Sequence, residues 1–177
     1  MITFGISLGY VGKFHKNIYK TWNILDKEFK TNYIKRKSSH PHITLIAGKT
    51  NNIEKIYKIL SKLQIKKFKI TSPGLGLFIN KNPNLYIRWN QDALLIKNFN
   101  LIRKKTLNLF NSQRNFYNLE DWVPRSTLAW KDLKYKDLFK IYKKIENKFK
   151  KQSVVVNRIY ILKVTDRETL THTLKLK

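Results

Sequence analysis

The sequence contains no cysteine among its 177 residues, which excludes a disulfide framework and a thiolate metal site. This absence favours a reducing compartment, and we expect a cytoplasmic protein. Long hydrophobic runs are lacking as well. No stretch of about 18 apolar residues is present, so the sequence predicts no membrane-spanning helix. The first residues lack the basic segment that opens a signal peptide, and their alternation predicts a first β-strand.

Acidic residues are scarce, with 11 Asp and Glu against 37 Lys and Arg and a net charge of +26. A surface of this sign attracts polyanions such as nucleic acids, with an affinity that falls steeply as salt is added. Lysine, asparagine and isoleucine are abundant together, which AT-rich coding also produces. The charge therefore agrees with an anionic ligand but does not identify one.

Apolar residues make up 42% of the chain and aromatic residues 13%, which is typical of a folded protein. The length is enough for one well-filled core, or for two small lobes that share one. We expect a single domain over residues 1–177, built from halves of roughly residues 1–90 and 91–177, with or without an exchange of terminal strands. A monomer is the favoured assembly.

Residues 39–46, Ser-His-Pro-His-Ile-Thr-Leu-Ile, form the most informative segment. Read as an extended strand, the segment places His42 and Thr44 on one face and Ile43 and Leu45 on the other. The apolar face can pack into a core, while the imidazole and the hydroxyl together can bind a phosphate group. One such site carries little weight, because His-x-Thr occurs by chance in many chains.

A near-repeat of this segment lies at residues 122–129, Trp-Val-Pro-Arg-Ser-Thr-Leu-Ala. The pentapeptides Pro-His-Ile-Thr-Leu and Pro-Arg-Ser-Thr-Leu match at three positions, with Arg125 in place of a second histidine and Thr127 equivalent to Thr44. The offset is 83 residues (125 minus 42), close to half of the chain. The sequence thus contains two related strand motifs, one in each half.

The hydrophobic pattern repeats the same order of elements. The first half reads β-α-β-α-β-β and the second α-β-α-β-β, with a motif each time on the strand that follows a helix. We expect an α+β fold that is bilobal, with two antiparallel sheets related by a pseudo-twofold duplication, helices outside and a central groove. The predicted helices cover about 18–29, 53–63, 92–110 and 138–149, the predicted strands 2–8, 42–48, 68–70, 75–79, 85–89, 122–130, 154–156, 159–162 and 170–176, and the predicted loops include 35–39 and 111–118.

This combination of motifs and element order resembles the 2H phosphoesterase superfamily, and within it the 2′-5′ RNA ligase-like, cyclic phosphodiesterase branch. The resemblance implies a metal-independent phosphodiesterase without a cofactor. It also implies a nucleotide or RNA phosphodiester as partner: a 2′,3′-cyclic phosphate, a 2′-5′ linkage or a cyclic oligonucleotide. The matching positions give His42, Thr44 and Thr127 as catalytic residues, with Arg125 at the second histidine position.

The same chemistry follows from the residue types. Cleavage of a phosphodiester requires one group that accepts a proton from the attacking oxygen and another that donates a proton to the leaving oxygen. Histidine suits both roles near neutral pH. Threonine hydroxyls can bind the non-bridging phosphoryl oxygens, where negative charge accumulates in the transition state.

Arg125 does not fit half of this scheme, because a guanidinium neither abstracts nor releases a proton in the accessible pH range. Three interpretations remain open. The chain is a natural member that binds a phosphodiester without cutting it efficiently, an inactivated variant of an active enzyme, or an enzyme with a substitute acid. His40 is the nearest candidate substitute, although a solvated loop histidine explains it as well.

Several further residues are candidates for substrate binding. Tyr10 and Trp130 follow the first strand and the second motif and could stack on a base. Lys35 and Arg36, in the basic loop, could contact backbone phosphates, and a solvated charge run explains them equally.

Three functional hypotheses come from the sequence. The first is a phosphodiesterase-type protein whose activity Arg125 impairs or alters. The second is a non-catalytic basic module that binds RNA or a cyclic nucleotide. The third is a basic structural protein that associates with RNA through charge alone.

Overall fold

The computed structural model describes residues 2–113 and 120–177, and within them the chain forms nine strands and five α-helices. The strands are β1 (Ile2–Tyr10), β2 (His42–Thr50), β3 (Phe68–Ser72), β4 (Gly74–Phe78), β5 (Asn84–Arg88), β6 (Ser112–Gln113), β7 (Arg125–Ala129), β8 (Gln152–Val164) and β9 (Glu168–Lys175). The helices are α1 (Lys13–Phe29), α2 (Tyr33–Lys37), α3 (Ile53–Lys62), α4 (Ala93–Thr106) and α5 (Leu138–Ile145).

Six strands form a large antiparallel sheet in the order β3-β8-β1-β2-β6, in which β9 also pairs with β8. The 13-residue strand β8 pairs with β1 along one edge, and with β3 and then β9 along the other. In the β1–β2 register, Gly9 lies opposite His42 and Ser7 opposite Thr44. The first motif strand therefore lies next to the N-terminal strand.

Three strands, β4-β5-β7, form a smaller antiparallel sheet that holds the second motif. In the β5–β7 register, Tyr86 lies opposite Thr127 and Arg88 opposite Arg125. Because cross-strand partners share a face, these four side chains lie on the same side of the small sheet.

The helices pack on the outer faces of the two sheets with the apolar stripes that the sequence predicts. Helix α1 buries Phe14, Ile18, Trp22 and Leu25 and lies against β7 and α5. Helix α4 contacts β2 and β3 of the large sheet, and α3 contacts α4 and β9. The predicted α+β architecture with two antiparallel sheets is confirmed.

In the described part of the chain, no helix is both long enough and apolar enough to cross a membrane.

The structure differs from the sequence-based expectation in four places. The basic segment 35–39 is predicted as a loop, but its first three residues belong to the short helix α2. The second motif strand spans only Arg125–Ala129, and the two sheets are unequal in size. The strands predicted at 154–156 and 159–162 are one continuous strand, in which the β1–β8 register shifts so that Asn157 is an extra residue. This bulge breaks the alternation on which the prediction relied. Of the predicted loop at 111–118, Ser112–Gln113 pair as β6, and 114–118 lie outside the described residues.

The two sheets are joined at one buried hydroxyl, that of Ser126 on β7. Its Oγ donates a hydrogen bond to the backbone carbonyl of His42 at 2.9 Å and accepts from the Tyr10 hydroxyl at 2.8 Å and from the Trp89 indole at 3.0 Å. A second link comes from Trp122, whose indole donates to the carbonyl of Thr44 at 2.9 Å. Both motif strands are thus held together through the backbone of the first motif.

We expect Ser126→Ala to destabilise the protein by about 2–4 kcal/mol, because it leaves two buried donors, of Tyr10 and Trp89, without an acceptor. The measurement is the free energy of unfolding in urea. Ser61→Ala is the matched control, since the Ser61 hydroxyl is exposed and bonds only its own helix; we expect a change within about 0.5 kcal/mol. Equal effects of the two variants would contradict the role of Ser126 as the joint between the sheets.

Candidate active site

The alternation of the two motif strands places their polar residues on one face and their core residues on the other. On β2, Ile43 and Leu45 are fully buried, while His42 and Thr44 are half-buried. The same pattern repeats on β7, where Ser126 and Leu128 are buried and Arg125 and Thr127 are half-buried. Because Ser126 bonds to His42, the two polar pairs come from adjacent segments of the two sheets.

The ring of His42 is oriented by the segment that immediately precedes its strand. Its Nδ1 lies 2.6 Å from the backbone carbonyl of His40. A carbonyl oxygen only accepts hydrogen bonds, so Nδ1 carries a proton and donates it. In the neutral ring, Nε2 then holds the free lone pair, and in the imidazolium Nε2 holds the exchangeable proton. The geometry therefore defines Nε2 as the atom that can give or take a proton.

His42 and Thr44 line a small cleft on the large sheet. The other lining residues come from three further strands: Thr3, Gly5 and Ser7 on β1, Leu162 and Val164 on β8, and Glu168 on β9, with Ala47 on β2. The cleft has a volume of about 60 Å³, while a bound water needs roughly 10–15 Å³. It can therefore hold a few waters or phosphoryl oxygens, but not a nucleoside.

One polar atom of this cleft has no partner. Ser7 is fully buried, and within the described residues its Oγ makes no hydrogen bond. Ser7 lies opposite Thr44, so two hydroxyls from neighbouring strands share one side of the cleft. A buried unpartnered hydroxyl is costly, which indicates a position that water or a ligand oxygen occupies.

The small sheet presents a different surface, formed by cations and aromatic rings. The guanidinium of Arg125 donates to the carbonyl of Val123 at 3.1 Å and lies 5.2 Å from the ring centre of Phe78. Phe78 in turn packs on Tyr86 at 4.7 Å between ring centroids. Burial raises the pKa of Tyr86, while the charges of Arg125 and Arg88 oppose this shift. This face can bind an anion beside an apolar platform.

A packed cluster of rings lies beside the first motif. The ring of His40 lies 5.4 Å from Tyr160 and 6.5 Å from His15. Burial lowers the pKa of His40, and the charges of His42 and Arg158 lower it further. The pKa of His15 is lowered in the same way, by burial first and then by the charges of His40 and Arg158. Both rings therefore favour the neutral form.

The four remaining binding candidates each contact other residues of the protein, and one of them is fully buried. Tyr10 is fully buried with its hydroxyl on Ser126, so it cannot stack on a base. Trp130 packs edge to face on Tyr33 of α2. Lys35 forms an ion pair with Asp26 at 2.8 Å. Arg36 lies exposed on α2 and donates to the side chain of Asn32 at 2.8 Å. Both cations thus have a partner on the protein surface, Lys35 on α1 and Arg36 at the start of α2.

Sequence reasoning missed the role of four residues: Ser126 within the second motif, and Ser7, Arg88 and Glu168 outside both motifs. Arg88 could have been found, because the alternation of Leu85-Tyr86-Ile87-Arg88 places Tyr86 and Arg88 on the polar face of their strand. No sequence signal identifies the others, since their positions depend on pairing between distant strands.

No three His, Cys, Asp or Glu side chains in ranges 2–113 and 120–177 come together in a way that could hold a metal ion. A larger cavity of about 290 Å³ lies between β4 and α5, lined by Leu75, Leu77, Leu138, Phe139 and Tyr142 among others, and neither motif contributes to it. It is apolar and bears none of the groups that bind phosphate.

Solved structures share this fold over nearly the whole chain. LigT from E. coli, complexed with 3′-AMP, has a TM-score of 0.59 and 14% identity, with 99% of this chain and 98% of that chain covered. A crystal structure of a phosphoesterase has a TM-score of 0.61 and 11% identity, with 99% of this chain and 98% of that chain covered. Usb1 from Kluyveromyces marxianus, solved with uridine monophosphate, has a TM-score of 0.50 and 10% identity. The match covers 99% of this chain and 98% of that chain. By sequence, the chain matches no protein-family model and no curated protein. At these identities the chain is similar to these proteins in fold.

Proposed function

We propose that this chain is a phosphodiesterase-type protein of the 2H phosphoesterase superfamily that acts in the cytoplasm on a nucleotide phosphodiester. The observation that carries the proposal is the hydrogen bond from Ser126 to the carbonyl of His42, which joins the two motif strands. The phosphate binds between the pair His42 and Thr44 and the pair Arg125 and Thr127. The nucleoside lies outside the small cleft, against the half-buried ring of Phe78, because Tyr86 is buried.

His42 is the proton-transfer residue of this site, through Nε2. Thr44 and Thr127 donate hydrogen bonds to the non-bridging oxygens, where charge accumulates as the phosphorus is attacked. Arg125 binds the same oxygens through its planar fork of donors, which suits a phosphate better than a point charge does. Arg125 thus contributes ground-state and transition-state binding but no proton transfer.

The fold relatives support a nucleotide as ligand. LigT and Usb1 have been solved with 3′-AMP and uridine monophosphate, respectively. The net charge of +26 favours any such anion over neutral small molecules. A second candidate function, a non-catalytic nucleotide-binding module, is favoured by one observation, namely that Arg125 replaces the second histidine.

We expect Arg125→His to raise turnover on the order of 10²–10⁴-fold, because an imidazole at this position can transfer a proton and a guanidinium cannot. The substrates are 2′,3′-cyclic nucleotides, 2′-5′ dinucleotides and cyclic di- and trinucleotides. Lys62→His is the control, since it introduces a histidine at an exposed cation of α3 outside the site. If Arg125→His folds normally and neither it nor the wild type turns over any substrate, while the wild type binds nucleotides, the binding module is the correct function.

We expect His42→Gln to lower the turnover of the wild type on the order of 10²–10⁴-fold, whereas His40→Gln changes it by less than about threefold. The reason is that the backbone carbonyl of residue 40, not its imidazole, positions His42. The measurement is kcat on the best substrate of the same panel. An equal loss in both variants would contradict the assignment of His42 as the only transferring histidine.

The lowered pKa of His40 also predicts how stability depends on pH. The folded state holds this ring neutral more strongly than the unfolded state does. Its stabilising contribution is therefore full above the ordinary pKa of 6.5 and is lost as the pH falls through the lower value of the folded state. Urea unfolding at pH 7 and pH 5 should show a smaller loss of stability on acidification in His40→Gln than in the wild type. A larger loss in the variant would contradict the direction of the shift.

A further inference from the structure

An acidic side chain lies in the cleft that His42 and Thr44 line. Glu168, the first residue of β9, is half-buried there, although the chain holds only 11 Asp and Glu against 37 Lys and Arg. Within residues 2–113 and 120–177, Glu168 forms no ion pair. A carboxylate repels a phosphate diester, so its placement in an anion site weakens ground-state binding. A role in the reaction would account for a carboxylate at this position.

Glu168 is held in a defined position. The hydroxyl of Ser38 donates to its Oε2 at 2.8 Å, and the same hydroxyl lies 3.2 Å from the carbonyl of His40. That carbonyl accepts the Nδ1 proton of His42. The single proton of the Ser38 hydroxyl is used on Glu168, so Ser38 holds the carboxylate, while the His40 carbonyl orients His42 separately.

The strand order separates the two groups across the cleft. Its lining passes from β2 across β1 and β8 to β9, with His42 on the first strand and Glu168 on the last. The cleft is large enough for an attacking water, and the unpartnered hydroxyl of buried Ser7 lies on β1 between them. In-line displacement at phosphorus requires the attacking and leaving oxygens on opposite sides, which two proton-transfer groups at opposite ends of a cleft can serve.

We propose that Glu168 is the second catalytic residue of this protein, the general base that Arg125 cannot be. This inference rests on the proposed function and assigns the acid and base within it. The substrate class is a nucleotide phosphodiester, and the reaction is its hydrolysis by water held between Ser7 and Glu168.

In this step, the oxygen of water forms a bond to phosphorus while the carboxylate of Glu168 takes one of its protons. The bond between phosphorus and the leaving ribose oxygen breaks, and its electron pair stays on that oxygen. The oxygen then receives the Nε2 proton of the His42 imidazolium. The products are a phosphate monoester with a free hydroxyl, neutral His42 and protonated Glu168. One proton passing through solvent from Glu168 to His42 restores the starting state.

The alternative role of Glu168 is to anchor the segment before β2 through Ser38. Two substitutions separate the roles. Glu168→Gln keeps an oxygen that accepts from Ser38 but cannot serve as a base, while Ser38→Ala removes the anchor and keeps the carboxylate. Glu54→Gln is a control, since Glu54 lies exposed on α3, 3.5 Å from His172 and outside the cleft.

The experiment measures kcat and KM for hydrolysis of the best 2′,3′-cyclic or 2′-5′ substrate, together with binding of the phosphate monoester product by calorimetry. We expect Glu168→Gln to lower kcat on the order of 10²–10³-fold and to bind the product severalfold more tightly, because a repelling charge is gone. Ser38→Ala should lose less than about tenfold in kcat, and Glu54→Gln should match the wild type.

Three results overturn the inference. If Glu168→Gln and Ser38→Ala lose activity equally, Glu168 acts only as an anchor. If Glu168→Gln keeps the kcat of an active wild type, Glu168 has no part in catalysis while the proposed function stands. If the wild type hydrolyses no substrate in the panel, the enzymatic function and the role of Glu168 fail together, and nucleotide binding alone remains.

Discussion

The hydroxyl of Ser126 is the interaction on which the candidate site depends. It accepts from two buried aromatic donors and donates to a backbone carbonyl of the opposite sheet, so every one of its hydrogen-bonding positions is used. Because the acceptor is the carbonyl of His42, the bond fixes strand against strand without occupying the imidazole. A hydrogen bond between side chains would have consumed a functional group. This arrangement leaves the polar faces of both motif strands free for a ligand.

The two halves of the site differ in chemistry although they share a strand pattern. The half on the large sheet contains groups that titrate or hold water: His42, the hydroxyls of Ser7 and Thr44, and Glu168. The half on the small sheet contains permanent cations and rings: Arg88 and Arg125 beside Phe78 and Tyr86. In a symmetric pair of histidines, each half would supply both proton transfer and phosphate contact. Here the two tasks are divided, because a guanidinium binds but does not transfer protons.

Local patterns in the sequence predicted most of the fold. Apolar stripes located α1, α3, α4 and α5, and alternation located both motif strands and the orientation of their side chains. The patterns failed where a feature depends on distant pairing. Glu168 is one of several polar residues in a row, and only the pairing of β9 with β8 places it in the cleft that His42 lines. Tyr10 read as an exposed aromatic at a strand end, yet its burial depends on Ser126, 116 residues away.

Charge acts on two length scales in this chain, and they have opposite consequences at the site. The excess of 26 positive charges extends over the whole surface and draws nucleotides toward the protein from any direction. At physiological salt, however, exposed charges are screened beyond about 8 Å, so the distant lysines contribute little inside the cleft. In the proposed site, the potential at the phosphate is therefore set by its immediate neighbours, Arg125 on one side and Glu168 on the other. The repulsion between a single carboxylate in that position and a phosphate is therefore not cancelled by the total positive charge of the protein.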